Sequence, residues 1–161
     1  NIHSALEKVY ALIDADNDNN IDFRRDYDPS IPEIYGDENL FVQAILNIVK
    51  NSQQAIEHIK NPSIVIRSRI KYGEPINGIV QQTLCSIDVI DNGEGIPNDL
   101  HDQLFFPMVS MKENGSGLGL TIAQDIIRVH GGNIIFKSKP GNTVFSIQIP
   151  LEIESKEAKI A

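Results

Sequence analysis

Two runs rich in β-branched residues, SIVIRSRI at 63–70 and TLCSIDVID at 83–91, flank the glycine-containing stretch KYGEPINGIVQQ. Apolar runs of this length bounded by turn residues read as strands, and their separation predicts a long hairpin, so the chain is committed to an antiparallel sheet. Two further β-rich segments, NIIFKSK and TVFSIQIP, are separated by Pro140 and Gly141 and extend that sheet by a second hairpin. Ile21 and Phe23 alternate with Asp22 and Arg24, which predicts another strand to about Tyr27.

Helical spacing accounts for most of the rest. Ser4 followed by Glu7 suggests a capping box opening a helix with Leu6, Val9, Tyr10 and Ile13 as its apolar face, ended by the polar run DADNDNN. Asp37 is the expected N-cap of a helix from about Glu38 to Ile59, and a third helix is expected from Leu118 to His130, stopped by Gly131 and Gly132. Helices and hairpin-linked strands, without strict strand–helix alternation, predict an α+β, two-layer sandwich: helices on one face of a mixed, mostly antiparallel sheet. A chain of 161 residues, 41% hydrophobic, fits one domain, expected over 1–151, with 152–161 a charged tail.

Composition narrows the function. The formal net charge is -8 and the basic residues are scattered, which argues against nucleic acid or an anionic membrane surface as partner. One cysteine, Cys85, precludes an intrachain disulfide, and no apolar run approaches the roughly 20 residues of a membrane span. The expected location is cytoplasmic.

Three elements carry chemistry. On the helix from Glu38, Gln43, Asn47, Lys50, Asn51 and Gln54 recur at spacings of three and four and form one polar stripe. Such a stripe is ordinarily a solvent-facing strip. Here it is mainly amide, and carboxamide oxygens can ligate a hard cation such as Mg²⁺ that shares its shell with phosphates. DNGEG, Asp91 to Gly95, follows a strand; it is a common turn signal, but a strand-end carboxylate can also accept from the amine of adenine while Gly93 and Gly95 admit the ring. NGSGLGLTIAQDII places Gly115, Gly117 and Gly119 at a helix mouth, where free N–H groups and the helix dipole favour phosphate oxygens. Alone it is as unspecific as any glycine-rich connector, and it lacks the GK[ST] ending of a P-loop.

In order, these elements with FFPM at Phe105 to Met108 and the closing hairpin resemble the catalytic, ATP-binding domain of histidine kinases, over about residues 20–150. That superfamily is shared with gyrase, the mismatch-repair MutL ATPases and a heat-shock chaperone. NIVKN resembles its N box, DNGEG and GSGLG its glycine boxes, FFPM its F box, and PGNTVF a last glycine box in which Asn142 stands where glycine is commoner. The resemblance implies a Bergerat-type fold, ATP and Mg²⁺ as ligands, and Asn51 as the metal ligand. It further implies that Asp91 reads the base, that Gly93, Gly95, Ile96 and Thr143 shape the base pocket, and that Gly115, Gly117, Leu118, Gly119 and Leu120 surround the phosphates. Asn47, Lys50 and Lys112 are implied catalytic positions, Lys112 within a lid at 109–116 expected to order over nucleotide. Met108 replaces the phenylalanine common in the F box.

RDYDPSIPE, LFFPMVS and the long hairpin bring the resemblance nearer to the nitrogen-regulation sensor kinases. Implied partners are a phosphoacceptor histidine hairpin of the same kinase, a response regulator of NtrC type and a PII signal protein, with the whole kinase a homodimer and this domain a monomer. Where the superfamily's ATPases and serine kinases carry a general-base Glu, four residues before the metal-binding Asn, this chain has Asn47. A neutral amide does not take a proton from water or serine, whereas a neutral imidazole acceptor is already nucleophilic. None of His3, His58, His101 or His130 stands in an HExxNP motif. The phosphorylated histidine is therefore expected outside this chain. A passive nucleotide sensor is the alternative reading.

Overall fold

The computed structural model describes residues 1–15, 20–107 and 117–152. Among them, α1 (Ile2–Ala15) is followed by β1 (Asp22–Asp26), α2 (Glu38–Ala55), β2 (Ser63–Tyr72), β3 (Pro75–Ile76), β4 (Ile79–Val80) and β5 (Thr83–Asp91). A 3₁₀ turn over Asn98–Gln103 then precedes α3 (Gly119–Val129), β6 (Asn133–Lys139) and β7 (Asn142–Pro150). The main sheet runs β1-β2-β5-β7-β6, parallel only between β1 and β2, and β3–β4 is a separate two-stranded tip on the long hairpin. The fold is the mixed, mostly antiparallel α+β sandwich expected.

The core lies between sheet and helices. Leu6 and Val9 of α1, Ile45 and Ile48 of α2 and Ile127 of α3 meet Ile64, Ile66, Ile87 and Ile147 of the strands, all fully excluded from solvent. Each such side chain stabilises the fold by about 1.5–3 kcal/mol relative to exposure. Cys85 belongs to this core, and burial pushes its thiol up to about 12. Among the described residues no helix is long and apolar enough to cross a membrane.

Two helix ends differ from expectation. α1 begins before Ser4: Asn1 accepts through its side chain from the His3 amide (2.9 Å) and through its carbonyl from the Ser4 amide (3.1 Å). Ser4 is thus inside the helix, and the buried Ile2 is what draws the first turn into the core. α2 stops at Ala55 rather than Ile59, because the Ala55 carbonyl turns to the Glu94 amide (3.3 Å) and the chain tightens, with Ile59 N donating to Ile56 O (3.0 Å). The other end is as expected: Asp37 accepts from the amides of Asn39 and Leu40. Most of the polar run expected to end α1 (16–19), Met108, the 109–116 loop with Lys112 and Gly115, and the tail from 153 onward lie outside the described residues.

Candidate functional site

The hairpin delivers Asp91 to the end of the central strand β5, opposite Thr143 of β7, and both are buried. The Asp91 carboxyl accepts from the Gly93 amide (3.0 Å), and burial holds its pKa above the ordinary carboxylate value despite that bond. An acceptor so placed, with oxygen capacity left over, is matched to a neutral N–H donor.

The DNGEG loop is fixed on two sides. On one, the Gly141 amide donates to Gly93 O (2.8 Å), and the Ile96 amide donates to Ser138 Oγ (2.8 Å), which in turn bonds Thr143 Oγ1 (2.7 Å). Gly95 has φ +84°, and a Cβ there would stand 2.9 Å from the carbonyl carbon of Lys139. Only glycine combines that backbone angle with that closeness. On the other side a Cβ at Gly93 would stand 2.7 Å from Ala55 O, so the loop rests directly on the last turn of α2. Asn92 braces the same loop from behind, accepting from Ser63 N (2.9 Å) and donating to Asn61 O (2.8 Å).

The amide stripe now divides by environment. Gln43, Lys50 and Gln54 are exposed, while Asn47 and Asn51 are half-buried. Asn47 lies against the start of α3: a Cβ at Gly119 would meet the Asn47 side chain at 3.8 Å. Asn47, Asn51 and Ala55 are spaced i, i+4, i+8, a row about 12 Å long on one face of α2. One end of the row touches the mouth of α3, the other the DNGEG loop. Gly117, with φ +66°, and Leu118 lead into α3, and Leu120 is buried beneath it. The structure therefore places Gly119 against Asn47 at one end of the α2 row and Gly93 against Ala55 at the other, with Asp91, Gly95, Ile96 and Thr143 gathered around the same loop and Asn51 between the two ends; Lys50 is exposed.

Sequence reasoning passed over several contributors. Ser138 and Ala55 act through backbone groups of distant residues, which no local motif announces. Thr121 donates to Phe105 O (3.1 Å) and so ties the F-box segment to the first turn of α3. Ser52 is buried beside Asp91, and its position directly after Asn51 was the available signal. A separate open groove of about 590 Å³, bordered by Asn20, Arg24, Gln53, Glu57, Lys60 and Asn61, lies at the other side of α2 and has neither a glycine loop nor the buried acid. Its size does not make it the site, because nothing in it selects a ligand.

Comparison with known proteins identifies the family. Residues 36–153 match the family described as histidine kinase-, DNA gyrase B-, and HSP90-like ATPase. The chain is 44% identical over 151 residues to the sensory histidine kinase/phosphatase NtrB of Vibrio alginolyticus, and 43% identical over 150 residues to that of Escherichia coli O157:H7. It covers 43% of the length of each, so it spans less than half of these relatives. Among solved structures, the nucleotide-free catalytic domain of histidine kinase ThkA superposes with a TM-score of 0.75 at 28% identity, covering 93% of this chain and 94% of that one. Full-length ShkA in complex with AMPPNP, at 22% identity and a TM-score of 0.74 over 93% of this chain and 30% of that one, shares the fold. Matched over the span that holds the amide helix, both glycine loops and the closing hairpin, the chain belongs to the histidine kinase-, DNA gyrase B- and HSP90-like ATPase family.

Proposed function

We propose that this chain is the ATP-binding catalytic part of an NtrB-like sensor histidine kinase, which transfers the γ-phosphoryl group of ATP to a histidine on a separate hairpin domain. The observation that carries this reading is the row Asn47–Asn51–Ala55, which joins the α3 mouth to the base-reading loop on one face of one helix. A ligand lying along it would place a purine at Asp91 and phosphates at the N-terminus of α3, where the helix dipole favours negative charge.

The donor chemistry fits a magnesium ion. Asn51 offers a half-buried carboxamide oxygen on the phosphate side of the row, a hard donor suited to a cation that keeps most of its shell for water and phosphate. Bound there, Mg²⁺ would offset the charge of the phosphates. The residues of this chain then hold and orient: Asp91 fixes the base, the Gly117–Gly119 turn leads the chain into the N-terminus of α3, and Asn47, a neutral amide, takes no proton from a water or serine nucleophile. The entering imidazole forms the new N–P bond as the bond from the γ-phosphorus to the bridging oxygen breaks, and ADP leaves with that electron pair. Lys112 and Gly115 are proposed to contact the phosphates, and Lys50 to act from its exposed flank.

By the same reading, the phosphohistidine supplies an NtrC-like response regulator, a PII signal protein controls the reaction, the whole kinase is a cytoplasmic homodimer, and 1–151 is one monomeric catalytic unit with a charged tail. The test is transfer in trans. A separately made hairpin bearing an HExxNP motif is incubated with this domain and γ-labelled ATP. Label on the hairpin, lost with Asn51→Ala, supports the kinase; tight ATP binding with no label on the hairpin contradicts it and leaves a passive nucleotide sensor.

A further inference from the structure

α2 and α3 run antiparallel and touch near both ends of their shared length. Gly119, at the start of α3, faces the Asn47 side chain. His130, just past the end of α3, reaches Asp37, the N-cap of α2. The two spans match, with about 15 Å of helix between Asp37 and Asn47 and about 16 Å between Gly119 and His130. Whatever fixes the far end of α3 therefore fixes where its N-terminus stands against Asn47.

His130 holds that end through both ring nitrogens. The last turn of α3 tightens, His130 N donating to Ile127 O (3.2 Å) rather than to Ile126 O. His130 Nδ1 donates to the Ile126 carbonyl instead (2.7 Å), and Nε2 accepts from the Asp37 amide (3.2 Å). A carbonyl only accepts and a backbone amide only donates, so the two bonds require a neutral ring with its proton on Nδ1. The ring is also tightly seated: its centroid lies 4.4 Å from that of the buried Phe41, and a Cβ on Gly36 would stand 2.8 Å from its Cδ2. Just beyond, a Cβ on Gly132 would overlap Gln148 O, so the chain leaving α3 passes directly over β7. We propose that His130 is a positioning residue for phosphate binding: its Nδ1-protonated ring locks α3 to the N-cap of α2 and so holds the mouth of α3 in register with Asn47. It acts through α3 and touches no nucleotide. This deepens the ATP-binding reading above and rests on it.

Two substitutions separate the bonds. In His130→Asn the shorter side chain can still donate to Ile126 O but does not reach the Asp37 amide, whereas in His130→Gln the amide oxygen takes the place of Nε2. Both lose the ring's packing on Phe41, so both should melt below the parent. Calorimetric titration with Mg-ATP should give a Kd about threefold to tenfold higher for His130→Asn, since the nucleotide must restore a register that one neutral hydrogen bond had held. His130→Gln should bind Mg-ATP as the parent does. Adenosine, which has no phosphates, should bind all three proteins alike when followed by amide-shift titration. Ring ¹⁵N spectra of the parent at alkaline pH should show His130 protonated at Nδ1 alone, a readout that decides the lock even if His130→Asn does not fold. Equal Mg-ATP affinity in His130→Asn and the parent, equal losses in the two variants, or a ring proton on Nε2 would overturn the role of His130 while leaving the ATP site standing. So would a matching loss for adenosine, which would mark general loosening of the domain. No binding of Mg-ATP by the parent would overturn the site reading itself, and this role with it.

Discussion

At the residue scale the tightest constraint is Asp91. Burial raises its pKa, so the fold disfavours the charge that a purine amine needs as its acceptor. The sign follows directly. The native state holds its proton to higher pH than the unfolded chain does, so stability from this group is greatest below the ordinary value of 3.8 and is lost as pH rises through the raised one. Nucleotide binding has the opposite sense and weakens as pH falls through that same raised value. Asp91→Asn should therefore melt at the same or a higher temperature at pH 7, and its stability should fall less than the parent's as pH rises above 4. Its affinity for Mg-ATP should fall by at least about tenfold, since a charge-assisted bond is lost. Calorimetry and thermal melts across pH check both halves; a variant that binds normally removes Asp91 from the base pocket. Asp91, Gly93 and Gly95 were legible in the sequence because they fall within one five-residue run whose residue types are unusual together. Ser138 was not, since a lone serine says nothing until the fold shows what its hydroxyl faces.

At the element scale the site depends on where α2 ends. Helical periodicity alone carries α2 to Ile59, yet the fold ends it at Ala55 and gives that carbonyl to the DNGEG loop. A sequence reading misses this because the competing donor, the Glu94 amide, lies 39 positions further along. The same limitation hid the N-terminal boundary of α1, where Asn1 caps and Ser4 does not. The strands were more legible: the turn residues between 72 and 83 and between 139 and 142 fix hairpin partners locally. Because the loop is clamped between α2 and the β6–β7 turn, Gly95→Ala should strain both φ and the Lys139 contact. A destabilisation of about 1–3 kcal/mol is expected from such strain. Chemical denaturation reads the stability loss, and Mg-ATP titration should show weaker binding even where the variant remains folded. Unchanged stability and binding would mean that the loop is not held as described.

At the scale of the whole molecule, the sheet order puts β5 at the centre, so that its end can be reached from α2 on one side and β7 on the other. That placement sets the DNGEG loop against both the last turn of α2 and the β6–β7 turn. A rival location exists in the groove beside Arg24 and Lys60, on another face of the same helix. Titrating the isotope-labelled domain with Mg²⁺ and a non-hydrolysable ATP analogue, and following backbone amide resonances, distinguishes the two. The account predicts saturable shifts with one common Kd at Asn47, Asn51, Asp91, Gly93, Gly95, Gly117, Gly119 and Thr143. Shifts confined to the residues around Arg24, Lys60 and Asn61, or different Kd values for the Asp91 and Gly119 ends of the row, would contradict a single nucleotide site.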